Sequence, residues 1–294
     1  MTEHAAIATT GLTKHYGDVV ALESLDLEVR QGEIFGCLGP NGSGKTTTIR
    51  LLLGLVRPTR GSATILGIPV GDVRRAHRHV AHEAGDVALW PQLTGTETLD
   101  LLASVAGATD RAFRDELLER LHVDPSRRLR SVSKGNRQKI ALVAAFMGRP
   151  DVLLLDEPTA GLDPLMEEQF QQVARDAVAR GQTIFLSSHI LDEVQDLCDR
   201  VGILRDGRLV EVAALEDLRR LGTTNVEVVV DGPLPDLSDV AGVTGVEPIA
   251  GVDGGLRIAV SGPPAELLAR LGTVRVLRLR TTEPSLEEIF LTYY

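Results

Sequence analysis

The sequence predicts an α/β fold built on a glycine-rich phosphate-binding loop, with a small α+β domain after it. Three observations predict it. Gly39-Pro40-Asn41-Gly42-Ser43-Gly44-Lys45-Thr46 fits G-x-x-x-x-G-K-[ST]; it follows the apolar run Ile34-Phe35-Gly36-Cys37-Leu38 and precedes a helix-like stretch from Thr47 to Leu53. A second apolar run, Val152-Leu153-Leu154-Leu155, ends in two acids, Asp156-Glu157. From about Thr223 the composition shifts to three short β-rich runs separated by Pro, Gly and Asp turns. Strand–loop–helix order is the context that gives the loop motif its weight. A continuous apolar run is how a strand of a parallel sheet, covered on both faces, reads.

Taken in order, residues 5–30 read as antiparallel strands: a short run from Ala5 to Thr9, a turn at Gly17-Asp18, then alternating Leu25-Asp26-Leu27-Glu28-Val29. A strand from Ser62 to Leu66 follows the break at Arg57-Pro58-Thr59-Arg60-Gly61. Residues about 72–147 carry helical patterns and read as a helical insert. Helix 165–180, strand 183–186, helix 191–198 and a strand pair around Gly207 complete the α/β pattern. The tail gives strands at 226–230, 256–260 and 274–279, and helices at 264–271 and 285–293. The expected domains are 1–222 and 223–294.

The 294 residues suit one large and one small domain. A hydrophobic fraction of 43% supports a core, and 24% charged residues argue against general disorder. Net charge is −10 with a pI near 5.2, which provides no global field for nucleic acid. Cys37 and Cys198 fit neither a metal site nor a disulfide framework and read as buried thiols of a reducing cytoplasm. Neither a signal-peptide pattern nor an apolar run of roughly 20 residues is expected to place the chain in a membrane; it reads as soluble by itself.

Gly42 and Gly44 let successive backbone N–H groups face an anion, and the following helix adds its positive N-terminus. Lys45 would reach the β- and γ-phosphates, and the Thr46 hydroxyl would ligate Mg²⁺. Gly39 through Ser43, with Thr47 after the motif, complete the phosphate cradle. At the end of a parallel strand, Asp156 can hold Mg²⁺ through water and Glu157 can polarise the attacking water. The alternative for the two acids, caps and turns at a strand end, loses weight beside such a loop.

With these motifs in hand, the chain resembles the ATP-binding subunits of ABC transporters over roughly residues 5–220. Val132-Ser133-Lys134-Gly135-Asn136-Arg137-Gln138-Lys139 is similar to the family signature, Ala160-Gly161-Leu162-Asp163-Pro164 to its aspartate loop, and Ser187-Ser188-His189 to its histidine switch. Tyr16 matches the position that stacks on adenine. The resemblance implies a P-loop NTPase cassette with a RecA-like core, an antiparallel β subdomain and a helical subdomain. It also implies ATP and Mg²⁺ as cofactors and head-to-tail pairing, as a homodimer or with a second ATPase subunit. Ser133 and Gly135 would then bind the γ-phosphate in trans, His189 would contact it, and Asp163 would link the two sites.

Two departures stand out. Lys134 and Asn136 replace the signature's first glycine and its glutamine. The Mg²⁺-contacting glutamine of the family falls at Gly85, so Asp86 or water is expected to substitute. Leu89 and Trp90 are expected either to line a groove for the transmembrane partner or to pack in the core. The basic clusters at 74–79 and 127–130 read as solvated faces or as partner or lipid contacts. Ser285 and Glu288 form a capping box opening the last helix, and this ending resembles that of ABC-2 type drug and antibiotic exporters.

The expected function is therefore an ATPase subunit powering export of a small hydrophobic drug or antibiotic through separate transmembrane permease subunits. It would sit peripherally on the cytoplasmic face of the membrane, with no nucleic-acid partner. The alternatives are a soluble ABC-type ATPase acting on ribosomes or DNA, a resistance protein binding the drug itself, or an exporter of lipid, polysaccharide or peptide.

Overall fold

The computed structural model describes residues 5–106, 110–217, 223–232, 235–237, 239–249, 251–252 and 254–282. It divides into two compact units, Met1–Val212 and Ala213–Tyr294, a division ten residues before the expected boundary.

In the first unit, β1 (Ala5–Tyr16) and β2 (Val19–Arg30) form a long antiparallel hairpin. β4 (Arg60–Ile65) pairs on the other side of β1, and β5 (Ile68–Pro69) follows it, giving the order β2-β1-β4-β5. β1 continues well past Thr9. The register with β2 shifts between Thr9 and Leu12, an irregularity inside one strand at Thr10-Gly11.

The second sheet has the order β10-β9-β3-β8-β7-β6. Its strands are β3 (Ile34–Leu38), β6 (Val80–Glu83), β7 (Val152–Asp156), β8 (Thr183–Ser188), β9 (Arg200–Arg205) and β10 (Arg208–Ala214). β9, β3, β8, β7 and β6 run parallel. Every residue of β3, β7 and β8 is buried, as their unbroken apolar runs require. Phe35 and Phe185 stack across β3 and β8 with centroids 5.9 Å apart, at the heart of the core.

The expected helical insert over 72–147 needs correction. Only α2 (Val73–Ala76) precedes β6, and β6 belongs to the parallel sheet. As an edge strand with His82 exposed and Glu83 buried, it lacks the apolar run that marks its neighbours. The helical region begins at α3 (Gly95–Ala106), opened by a capping box in which Thr94 and Glu97 exchange hydrogen bonds at 2.8 and 3.1 Å. α4 (Arg111–Arg120) and α5 (Lys134–Phe146) follow. α6 (Pro164–Ala179) and α7 (Leu191–Leu197) flank β8 in sequence, and α1 (Lys45–Leu52) follows β3.

The second unit holds an antiparallel sheet of order β12-β13-β11-β14 with α8 (Ala265–Leu271). β11 (Thr223–Asp231), β13 (Gly255–Ser261) and β14 (Arg275–Thr282) answer the three expected strands. β12 (Val243–Pro248) was not expected: its glycine, proline and mostly exposed residues hide an edge strand. Val226, Val228, Ile258, Val260, Leu267 and Leu271 form its core. The helix expected over 285–293 and its capping box lie outside the described residues.

Candidate nucleotide site

Strand order builds the site. β8 lies between β3 and β7, and the register places Leu38 beside Ser188 and Ser187 beside Asp156. The residues that follow these ends are the phosphate loop, His189 and Glu157. Three segments far apart in sequence thus meet at the carboxyl edge of one sheet, where open α/β sheets bind ligands.

Gly44 caps α1 at φ 110, and a Cβ there would stand 2.7 Å from the Ala21 carbonyl oxygen. The residue must be glycine, and the same contact sets the β1–β2 hairpin beside the loop. Ala21, Asn41, Gly42, Gly44, Lys45, Thr46, Thr47 and Glu157 line a cavity of about 140 Å³. Lys45 is buried; its Nζ donates to the carbonyls of Gly39 (2.6 Å) and Pro40 (3.1 Å) and lies 4.0 Å from Glu157 Oε1. Ser43 Oγ is buried without a hydrogen-bond partner. Gly42 and Gly44, both at positive φ, and the first residues of α1 line the cavity, and a helix N-terminus beside a buried lysine suits a phosphate.

Asp156 is buried and accepts a hydrogen bond from Ser187 Oγ. Glu157 is held with φ at 54, a left-handed conformation that costs a non-glycine residue on the order of 1–3 kcal/mol. Its N–H is shared between Ser187 O (3.1 Å) and Ser187 Oγ (3.2 Å), and its Oε1 lies 3.0 Å from His189 Nδ1. Fixed backbone and a paired carboxylate aim Glu157 at the cavity. Burial pushes the Cys37 thiol up to about 12, which removes it as a nucleophile beside the loop. Among the described residues no group of three or more His, Cys, Asp and Glu side chains is placed to hold a metal. One carboxylate, one threonine hydroxyl, phosphate oxygens and water are a donor set that suits Mg²⁺.

Comparison with known proteins agrees with this geometry. The model of the ABC transporter family matches residues 22–160, and that of the DrrA1-3-like ATP-binding protein C-terminal domain matches 214–294. The daunorubicin resistance ATP-binding protein DrrA3 of Streptomyces coeruleorubidus is 34% identical, over 97% of this chain and 95% of its own. The chain belongs to the ABC transporter ATP-binding proteins. The bacitracin transport ATP-binding protein BcrA of Bacillus licheniformis is 37% identical over 73% of this chain and 71% of its own. An uncharacterized ABC transporter ATP-binding protein of Nostoc is 40% identical over 70% of this chain, which spans 63% of that relative's length. The solved ATP-binding subunit of an ABC transporter superposes with a TM-score of 0.68 at 32% identity, covering 73% of this chain and 92% of that one. The cassette is a nucleotide-binding ATPase of the class that pairs with permeases and dimerises.

The remaining ABC elements sit as follows. Ser133 caps α5, accepting from Asn136 N at 3.2 Å, which leaves its O–H free to donate. Gly135 packs so closely that a Cβ would lie 2.5 Å from the Gly161 carbonyl oxygen, joining signature and aspartate loop within one chain. Asp163 caps α6, accepting from Met166 N at 3.1 Å. Tyr16 is 43% exposed, with Lys14 Nζ 4.8 Å from its ring centroid. Trp90, 47% exposed, is not a core residue. His189 faces Glu157 in this structure.

Gly85 itself lies against the backbone at the end of β7: a Cβ there would be 2.7 Å from the Asp156 carbonyl oxygen. Asp86 is exposed and makes no hydrogen bond among the described residues. Sequence reasoning missed Ser187 as the link between the two acids, and Glu83, a carboxyl buried at the end of β6. The signal for Glu83 was a lone acid in a short strand-like run, Val80-Ala81-His82-Glu83, read as part of the helical insert.

Proposed function

We propose that this chain powers export of a small hydrophobic compound, a drug or antibiotic, through separate transmembrane subunits, as one of two paired cassettes on the cytoplasmic face of the membrane. The observation that carries the reading is the match along the whole chain, C-terminal domain included, to a relative named for daunorubicin resistance. No helix among the described residues is long and apolar enough to cross a membrane; the reading assigns the cargo path to other chains.

Lys45 and the loop N–H groups hold the β- and γ-phosphates, and Tyr16 stacks on the adenine. Thr46 and Asp156 would hold Mg²⁺, with Asp86 or water in place of the family's glutamine; when bound, the ion would neutralise charge on the phosphates. Glu157 takes the proton of the attacking water, and His189, 3.0 Å from that carboxylate, orients it toward the γ-phosphate. Ser133 and the Gly135 N–H, at the start of α5, donate to the γ-phosphate held by the second cassette. Lys134, exposed beside them, adds positive charge there; unchanged ATP affinity in Lys134→Ala would argue for a solvated lysine instead. Exposed Trp90 anchors the permease side.

The test is capture of tagged Glu157→Gln protein from detergent-solubilised host membranes in the presence of ATP. Recovery of a multi-span membrane protein whose loss sensitises the host to a hydrophobic drug supports the reading. Recovery of ribosomes or DNA-bound proteins alone overturns it.

A further inference from the structure

Glu83 closes β6 and is 1% exposed. Its Oε1 accepts a hydrogen bond from Gln138 Nε2 at 2.9 Å, and the same nitrogen donates to the Pro158 carbonyl at 3.0 Å. Gln138 is equally buried and lies on α5, three residues beyond Gly135. Pro158 is the residue after Glu157, and Glu83 stands two residues before Gly85. One amide nitrogen therefore ties the signature helix to two places at once: the strand end that leads to Asp86, and the peptide that carries Glu157.

The cluster is not a tidy core filler. Glu83 Oε2 and Gln138 Oε1 are buried without hydrogen-bond partners among the described residues. Incompletely paired polar groups are poorer fillers than the apolar side chains that pack elsewhere around this sheet. Among the described residues no basic side chain pairs with Glu83, whose carboxyl has the Gln138 amide as its one hydrogen-bonding partner.

We propose that Glu83 and Gln138 form a positioning couple that passes the placement of the signature helix to Glu157 and to the 84–94 loop. Neither side chain lines the phosphate-loop cavity. When Ser133 and Gly135 engage the nucleotide of a second cassette, a shift of α5 pulls on the Pro158 carbonyl and on the end of β6 together. The base of one site thereby feels the signature's contact with the other. This rests on Glu157 being the base, so the Glu157→Gln variant is run alongside.

The experiment compares the full-length parent with Glu83→Leu, Glu83→Gln, Gln138→Leu and the Leu/Leu double variant. Steady-state ATP hydrolysis, equilibrium ATP binding and thermal midpoint are measured for each. Glu83→Leu and Gln138→Leu are each expected to lower kcat about tenfold, with KM and ATP affinity within about twofold. The double variant should be no worse than either single, as for two members of one unit. Glu83→Gln keeps an acceptor oxygen for Gln138 and should restore kcat to within about threefold of the parent. Parental kcat in Glu83→Leu overturns the couple, as does a double variant whose losses multiply. A fall in kcat, ATP affinity and thermal midpoint together, unrelieved in Glu83→Gln, also overturns it in favour of a purely structural pair. Full turnover in Glu157→Gln removes the base assignment and the couple with it. Loss in Glu157→Gln beside parental Glu83→Leu removes the couple alone.

Discussion

Replacing Glu157 with glutamine should separate catalysis from binding, because the carboxylate does two opposed things. Its Oε1 lies 4.0 Å from Lys45 Nζ and 3.0 Å from His189 Nδ1, with the lysine buried and the glutamate 30% exposed. Opposite charges about 4 Å apart attract by about 4 kcal/mol at an effective dielectric near 20. That is an upper limit here, since Lys45 also bonds the Gly39 and Pro40 carbonyls. Glutamine keeps the shape and an oxygen for His189 but removes both the competitor for Lys45 and the charge facing a phosphate. ATP affinity should therefore rise by a few-fold to about tenfold, the latter worth about 1.4 kcal/mol. Turnover should fall by about 10²–10⁴-fold, the usual contribution of a positioned general base. Steady-state phosphate release and equilibrium titration with a fluorescent ATP analogue read the two effects separately. Hydrolysis within threefold of the parent refutes the role. So does a parallel loss of hydrolysis and affinity, which would make Glu157 a holder of nucleotide rather than an activator of water.

Gly135→Ala places a Cβ 2.5 Å from the Gly161 carbonyl oxygen, so the signature must move off the aspartate loop. ATP turnover should drop at least tenfold while nucleotide binding to the isolated subunit stays within twofold, as checked by the same two assays. Phe35→Ala empties the centre of the core, where Phe35 is fully buried against Phe185; a loss of about 3–5 kcal/mol is expected, read by denaturant unfolding. Burial raises the Glu83 carboxyl from the usual glutamate range to about 8, so between the two the folded state holds a proton that the unfolded chain releases. The penalty is absent below about pH 4.5, grows as pH rises, and is complete above about pH 8. Glu83→Gln should match the parent at pH 4 and exceed its stability by about 3–5 kcal/mol at pH 9 in unfolding titrations.

What the sequence made legible was contiguous. The phosphate loop, the acid pair at 156–157 and the buried runs of β3 and β7 each occupy one short stretch, and one rule reads each. What it hid was lateral. Nothing in the chain states that β8 lies between β3 and β7, yet that order alone brings His189 to Glu157, 32 positions apart. Edge strands were the other loss: β6 and β12 present polar or glycine residues to solvent and break the pattern that marks central strands. The two failures meet at 83–85. The sequence puts Gly85 where the resemblance to the family leads to the expectation of a glutamine, with no cause visible in the sequence. In the structure the backbone at Gly85 approaches Asp156 so closely that a Cβ would stand 2.7 Å from its carbonyl oxygen. Two residues earlier, Glu83 turns inward from the end of β6 and accepts a hydrogen bond from Gln138 on α5. The glycine and the buried acid thus pack at one strand end against β7 and α5, although the sequence presents them as two unrelated oddities.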